Sequence, residues 1–274
     1  MIQIDFPGGT MPALGLGTWQ LKDDEATEAV AHALDLGYRH IDTAQVYDNE
    51  RAVGVGLRTA DVDRDAVFLT TKVWRDKLKR RALIASTDDS LRRLDTDYVD
   101  LLLIHWPNED VELAETLDAL QEVQHRQRTR HIGVSNFPPA LFREALAIAP
   151  DLVCDQVEYH PYLAQEPLLD VLRAHEMILT AYSPLARGEV FDESVVREIA
   201  ETHGKSPAQV VLRWHLQQDR VAAIPKAASA AHRASNFDVF DFALSDDEMA
   251  QIHSLAREDG RMIDPDFAPD WDAA

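Results

Sequence analysis

The chain has 274 residues, 46% of them hydrophobic, which is enough to bury one large core, so we expect a single domain over residues 1–274. Its 48 acidic and 27 basic residues give a net charge of −21, which repels nucleic acid and anionic membranes. No apolar run is long enough to cross a bilayer, and residues 1–6 lack the basic start of a secretory signal. We therefore expect a cytoplasmic protein without nucleic-acid or membrane partners.

The excess of acidic residues has two interpretations. Aspartates outnumber glutamates by 31 to 17, and only 6 of the 27 basic residues are lysines. The acids are spread from Asp23-Asp24 to Asp246-Asp247 and do not form a tail. An acidic surface for a partner is one hypothesis. We favour the other, a halophilic adaptation to a salt-rich cytoplasm, because high ionic strength screens self-repulsion.

In chain order, the first predicted element is a β-hairpin with its turn at residues 7–10, suited to plug the lower mouth of a barrel. Short β-branched or leucine-rich runs then alternate with amphipathic stretches. Predicted strands are 13–16, 40–41, 67–71, 99–104, 131–134, 152–157, 178–181 and 221–224. Predicted helices include 25–36, 83–94, 113–124, 140–148, 167–174 and 207–217, and a capping box at 245–248 opens a last helix. This rhythm favours a (β/α)8 TIM barrel preceded by the hairpin.

Ionisable residues stand where consecutive predicted strands end. The second strand ends in Asp42, with Tyr47 in the following loop, the third ends in Lys72 and the fourth in His105. The carboxyl ends of barrel strands meet at one mouth, where catalytic groups lie. These four side chains are therefore expected to converge on one pocket.

The chemistry of this set suits delivery of a proton to an alkoxide. A tyrosine with a pKa near 10 is a proton donor at neutral pH, and a lysine cation stabilises the phenolate that it leaves. A buried aspartate keeps the lysine charged and oriented, and a histidine can donate a hydrogen bond to a carbonyl oxygen. The sequence offers no activated serine and no metal-ligand spacing, and the single cysteine, Cys154, is expected to be a small buried hydrophobe.

Other interpretations of the four residues stay open. Asp42 is also suited to cap a loop, Tyr47 to form a pocket wall, Lys72 to pair with any acid and His105 to be a core histidine. A lyase that uses Lys72 as a Schiff base and a non-catalytic cofactor sensor are the competing functional hypotheses.

The segments around these residues resemble signatures of the aldo-keto reductases. The matching motifs are GYRHIDTA at 37–44, TKVW at 71–74, LIHWP at 103–107, GVSNF at 133–137, QVEYHP at 156–161, AYSPL at 181–185 and IPK at 224–226. They cover nearly the whole chain in the order of the family. The resemblance implies an NAD(P)H-dependent oxidoreductase that reduces an aldehyde or ketone, with Asp42, Tyr47, Lys72 and His105 as its catalytic tetrad and Tyr47 as proton donor.

The same resemblance implies a cofactor site of eight residues. They are Ser135, Asn136 and Gln156 at the nicotinamide carboxamide, Tyr182 on the ring face, Ser183 and Leu185 at the pyrophosphate, and Lys226 and Asn236 beyond it. Stacking on a tyrosine fixes which face of the nicotinamide is presented. The chain has no Gly-x-Gly-x-x-Gly turn, so the cofactor is expected to bind without a dinucleotide fold.

The chain departs from the family pattern after Lys226. Where the family commonly has Ser, Arg and Glu, this sequence has Ala227, His232 and Ser235. The family's arginine is the usual partner of the adenosine 2′-phosphate, and Arg233, one residue along, is rotated by ~100° on a helix. Because Lys226 can still meet a phosphate, NADP(H) is favoured and NAD(H) is the alternative.

The resemblance also implies a substrate end of the pocket. Trp19, Trp74 and Trp106 match pocket-lining positions, which predicts an aromatic, largely apolar wall, although Trp19 and Trp74 are also suited to an ordinary core. The segment 186–193 is short, as in compact prokaryotic members that reduce small dicarbonyls or keto-sugars. We therefore expect a small-molecule carbonyl substrate and, by the habit of the family, a monomer.

Overall fold

The computed structural model describes residues 2–271, in which strands alternate with helices. An antiparallel hairpin of β1 (Gln3–Phe6) and β2 (Gly9–Pro12) comes first. Eight parallel strands follow, namely β3 (Leu16–Gly17), β4 (His40–Asp42), β5 (Phe68–Val73), β6 (Val99–Ile104), β7 (Thr129–Ser135), β8 (Leu152–Glu158), β9 (Ile178–Tyr182) and β10 (Val221–Ala223). Strands β3 and β10 lie at the two ends of the strand order.

Helices connect the strands. They are α1 (Asp23–Leu36), α2 (Glu50–Thr59), α3 (Arg80–Leu94), α4 (Leu113–His125), α5 (Pro139–Ile148), α6 (Glu166–Ala174), α7 (Ser194–His203), α8 (Pro207–Gln217), α9 (Ala230–Phe237) and α10 (Asp246–His253). Within residues 2–271, no helix is both long enough and apolar enough to cross a membrane.

The sheet closes on itself. Neighbouring strands pair in chain order from β3 to β10. At the seam, the Gly15 amide donates to Ala223 O at 2.9 Å, and the Ala223 amide donates to Ala13 O at 2.8 Å. A Cβ on Gly17 would lie 2.6 Å from the carbonyl oxygen of Ile224, so this close approach requires glycine. The predicted (β/α)8 barrel is confirmed.

The hairpin lies at the amino-terminal mouth of the barrel, as expected. The ring of Phe6 packs edge-on against His131, near the start of β7, with 4.8 Å between ring centroids. Arg220, just before β10, donates to the carbonyl oxygen of Asp5 at 2.8 Å. The carboxyl ends of the strands are thereby left for the loops that carry ionisable residues.

The predicted elements agree with the structure except in a few places. The capping box of α10 is present, with Ser245 and Glu248 each accepting the other's backbone N–H. Helices α2, α7 and α9 are absent from the named predictions, and in α2 Gly54 and Gly56 weaken the helical signal. Both glycines serve packing, since a Cβ would lie 2.3 Å from Leu94 O at Gly54 and 2.7 Å from Val30 at Gly56.

Candidate active site

A cleft of about 1120 Å³ opens at the carboxyl ends of the strands. Thirteen of the fifteen predicted site residues line it, namely Trp19, Asp42, Tyr47, Trp74, His105, Trp106, Asn136, Gln156, Tyr182, Ser183, Leu185, Lys226 and Asn236. The other two, Lys72 and Ser135, are buried beside them. Trp19 is 44% exposed, so it is a mouth residue and not part of the core.

The centre of the cleft floor is a buried ion pair. Lys72 has no exposed surface, and its Nζ donates to Asp42 Oδ1 at 2.5 Å and to Thr43 O at 2.9 Å. The same Nζ lies 3.5 Å from the hydroxyl of Tyr47, which a short 3₁₀ turn after β4 presents to the cleft. The His105 ring meets the Tyr47 ring edge-on with 5.7 Å between centroids. The four strand-end residues therefore do meet.

Burial shifts the pKa values of these groups in ways that matter for proton transfer. Desolvation, with a smaller contribution from the Asp42 charge, raises the pKa of Tyr47 well above 10. Desolvation lowers the pKa of Lys72, which the adjacent Asp42 charge opposes. Burial and then the Lys72 charge hold the pKa of His105 well below 6.5. Tyr47 is thus a protonated phenol, and His105 is neutral at physiological pH.

A second polar network joins this floor to the ends of β7 and β8. Gln156 Nε2 donates to Asp42 Oδ2 at 2.8 Å, and the hydroxyl of Ser135 donates to Gln156 O at 2.7 Å. Asn136 Nδ2 donates to His105 O at 2.9 Å, and the Tyr182 hydroxyl donates to Asn136 Oδ1 at 2.7 Å. The residues expected around a carboxamide therefore form one unit with Asp42 and His105.

The only cysteine of the chain lies in the barrel interior. Cys154 is buried against Thr180, and burial raises the pKa of its thiol to about 12, in agreement with an inert hydrophobe. In the part of the chain from residue 2 to residue 271, no group of His, Cys, Asp and Glu side chains is placed to hold a metal ion.

Comparison with known proteins agrees with this geometry. The sequence profile described as "Aldo/keto reductase family" matches residues 13–257. The chain belongs to the aldo/keto reductase family. It is 40% identical over 268 residues to methylglyoxal reductase DkgB of Yersinia pestis, a match covering 96% of this chain and 100% of that protein.

Solved structures of family members share the whole fold. One, assigned provisionally as a 2,5-diketo-D-gluconic acid reductase B, is 45% identical with a TM-score of 0.96, covering 99% of this chain and 98% of that one. A variant of Gox0644 in complex with NADPH is 38% identical with a TM-score of 0.90, covering 96% of both chains. The resemblance seen in the motifs therefore extends to the backbone of the entire barrel.

The part of the cleft around Lys226 shows where Arg233 lies, a question that the sequence left open. Lys226 and His232 are exposed and line the cleft. Arg233 is fully buried on the other side of α9, where its guanidinium donates to the carbonyl oxygens of Ala227 and Ala228. It also pairs with Glu28 at 3.4 Å, so it is committed to packing α9 against α1. It does not replace the family's arginine in the cleft.

Sequence reasoning missed several residues of the site. The hydrogen bond between Gln156 and Asp42 joins residues 114 positions apart, which no local pattern reveals. Arg187 and Lys22 line the cleft from loops, and Ile263 lines it from the C-terminal segment. In the sequence, only the aromatic residues of that segment point to a place beside the cleft, because the segment has neither helical nor strand periodicity.

The buried pair generates a stability prediction. Asp42→Asn leaves the Lys72 charge buried without its partner, so the free energy of unfolding is expected to fall by about 3–5 kcal/mol. Urea denaturation followed by tryptophan fluorescence measures this change. The matched control is Asp65→Asn, which breaks an exposed pair with Arg130 and is expected to change stability little. Equal losses in the two variants would contradict the assigned importance of the buried pair.

Proposed function

We propose that this protein reduces the carbonyl group of small dicarbonyls or keto-sugars to an alcohol, with NADPH as the favoured hydride source and NADH as the alternative. The observation that carries the proposal is the Tyr47 hydroxyl, placed at the floor of an aromatic cleft 3.5 Å from the Nζ of Lys72. The related methylglyoxal reductase and diketogluconic acid reductase, and the neighbour holding NADPH, support the substrate class and the cofactor.

The residues present fit a nicotinamide cofactor. When bound, the cofactor supplies the hydride to the carbonyl carbon. Ser135, Asn136 and Gln156 offer amide and hydroxyl groups suited to a carboxamide, and Tyr182 is a half-buried aromatic beside them. Lys226 lies exposed along the same cleft, where a cation is suited to a phosphate. Ser183 and Leu185 line the stretch between these two ends.

Tyr47 donates the proton. As the carbonyl carbon gains hydride, negative charge grows on the oxygen, and the Tyr47 hydroxyl transfers its proton there. The phenolate that remains lies beside the Lys72 cation, which lowers the cost of forming it in a buried site. Asp42 holds that cation in position through the 2.5 Å contact. Tyr47 is the proton donor, Lys72 stabilises the phenolate that it leaves, and Asp42 keeps Lys72 in place.

His105 orients the substrate as a neutral hydrogen-bond donor. Its depressed pKa keeps the imidazole uncharged, so it has one N–H to offer. Its Nδ1 is buried and has no hydrogen-bond partner among the described residues, which leaves Nε2 as the nitrogen available to a carbonyl oxygen. A neutral donor polarises the carbonyl without competing for the proton of Tyr47.

The lyase hypothesis is disfavoured by the position of Lys72. A Schiff base requires Nζ to reach the substrate carbonyl, whereas Lys72 is fully buried behind Tyr47 and bonded to Asp42 and Thr43. A cofactor sensor has no need of the complete tetrad that this cleft contains. Both alternatives predict a protein that does not consume NADPH with aldehydes.

The proton-donor role is tested with Tyr47→Phe, which removes one oxygen. We expect kcat for methylglyoxal reduction to fall by about 10²–10⁴-fold, the usual contribution of a positioned acid. We expect the variant still to bind NADPH, and quenching of the protein fluorescence measures this binding. Tyr98→Phe is the control, because the Tyr98 hydroxyl bonds the exposed Asp65 away from the cleft. Retention of near-normal turnover in Tyr47→Phe would contradict the mechanism.

Cofactor preference is tested at the adenosine end with His232→Arg. A guanidinium beside Lys226 adds a fork suited to the 2′-phosphate, so the ratio of kcat/KM for NADPH over NADH is expected to rise by about tenfold. His125→Arg, at the exposed end of α4, adds an arginine far from the cleft and is expected to leave the ratio unchanged. An unchanged ratio in His232→Arg would place the phosphate elsewhere.

We further propose that the protein is a cytoplasmic monomer whose acidic surface is an adaptation to salt. The aspartate pairs at 23–24 and 246–247 and the single Asp61 and Asp151 are all exposed. We expect dissolved salt to screen the repulsion between these charges.

The salt hypothesis predicts that stability rises with salt. The thermal midpoint of unfolding and the carbonyl-reductase activity are both expected to increase from low to molar KCl, while sucrose of equal osmolarity leaves activity unchanged. Sedimentation at each salt concentration is expected to give the 30.8 kDa of one chain. A fall in activity as KCl is raised would count against the hypothesis.

A further inference from the structure

Residues 257–271, here called the C-terminal strap, lie beside the substrate side of the cleft without forming a helix or strand. Phe267 of the strap packs edge-on against Trp74 and Trp106, with ring centroids 5.9 and 5.5 Å apart. Trp271 contacts Trp106 from further along the strap at 5.9 Å. The wall predicted to receive the substrate therefore rests on the strap.

One buried carboxylate attaches the strap to the barrel. Glu158 at the end of β8 has no exposed surface. Its Oε1 accepts the Met262 amide at 2.9 Å, and its Oε2 accepts the Ile263 amide at 3.0 Å. The Nε2 of His160 lies 3.0 Å from Oε1, and the Arg261 guanidinium is 4.0 Å from Oε2. Both carboxylate oxygens are thus used, mainly by the backbone of the strap.

The same strand end also serves the cofactor side. Gln156, two residues before Glu158 and therefore on the same face of β8, donates to Asp42. Glu158 is paired in register with Tyr182 of β9. Ile263, which Glu158 holds by its amide, lines the cleft. Within this short segment of β8, Gln156 is therefore bonded to the tetrad, and Glu158, the next inward-facing residue, is bonded to the strap.

We propose that Glu158 is a positioning residue for carbonyl reduction, which holds the C-terminal strap against the cleft so that Phe267 can support Trp74 and Trp106. The proposal rests on the proposed function for its kinetic consequence. Glu158 acts through the strap, so its loss affects substrate capture more than proton transfer. The two backbone N–H groups of the strap each need an acceptor oxygen, and a carboxylate supplies two whereas an amide supplies one. The attachment therefore requires an acid at this position.

The test is Glu158→Gln, which keeps the shape of the side chain. In the native protein, the Met262 and Ile263 amides donate to different oxygens of Glu158. In either orientation of the glutamine side chain, its NH₂ group therefore faces one of these backbone N–H donors and cannot accept from it. We expect backbone hydrogen exchange across residues 261–271 to accelerate by at least about tenfold, while exchange in β4 and β5 stays slow. KM for an aromatic aldehyde is expected to rise by about tenfold, with kcat changed less than twofold.

Glu50→Gln is the matched control. Glu50 is equally buried, but it bonds Thr71 and Arg93, far from the strap in sequence. A general loss of stability would accelerate exchange of the strap in both variants, whereas the proposal expects this only in Glu158→Gln. Should Glu158→Gln fail to fold, Met262→Pro removes one donor from the strap side and is expected to accelerate exchange in the same residues.

A double-mutant cycle with Phe267→Ala separates a strap effect from other effects. If Glu158 acts through the strap, Glu158→Gln adds little to the KM increase that Phe267→Ala produces alone. Additive increases in KM, or unchanged exchange of residues 261–271 in Glu158→Gln, would overturn the proposal. The exchange result does not require turnover, so it stays decisive even if no carbonyl compound is reduced and the proposed function fails.

Discussion

The structure of the site depends on the ion pair between Lys72 and Asp42. Placing two charges inside a barrel costs several kcal/mol per ion in lost hydration, and the cost is offset only where every remaining polar atom is bonded. Here Lys72 also donates to Thr43 O, and the second oxygen of Asp42 accepts from Gln156. Each partner of the ion pair thereby holds the other in place. The Tyr47 hydroxyl therefore lies next to a lysine cation whose position is fixed.

Closure of the barrel is what allows this pair to be completed. Asp42 lies at the end of β4 and Gln156 in β8, on opposite sides of the ring, and only a closed sheet lets their side chains meet across the interior. The seam at Gly17 and Ala223 is therefore needed for the contact between Asp42 and Gln156. The ends of β7, β8 and β9 then add Asn136, Glu158 and Tyr182 around a floor that is already rigid.

Sequence alone predicted the barrel and the meeting of Asp42, Tyr47, Lys72 and His105, because strand periodicity places strand ends at one mouth. It did not name α2, α7 or α9, and in α2 the reason is that Gly54 and Gly56 serve tertiary packing against Leu94 and Val30 at the expense of helix propensity. It also missed the attachment of the strap to Glu158, because a bond between residues 104 positions apart has no periodic signature. Long-range polar contacts are the part of a site that local patterns cannot encode.

The two ends of the cleft differ in burial, and this affects how far each tolerates change. At the end formed by Ser135, Asn136 and Gln156, these residues are buried and bonded to one another, so most substitutions would leave a donor or acceptor without water. At the other end, Lys226 and His232 are exposed, so solvent can satisfy a substituted side chain there, whereas Ala227, where the chain also departs from its family, is buried. Arg233 on the same helix is buried and bonded, so it belongs to the constrained part of the fold. An exposed position of the cleft such as His232 can therefore change at lower cost than the buried polar floor.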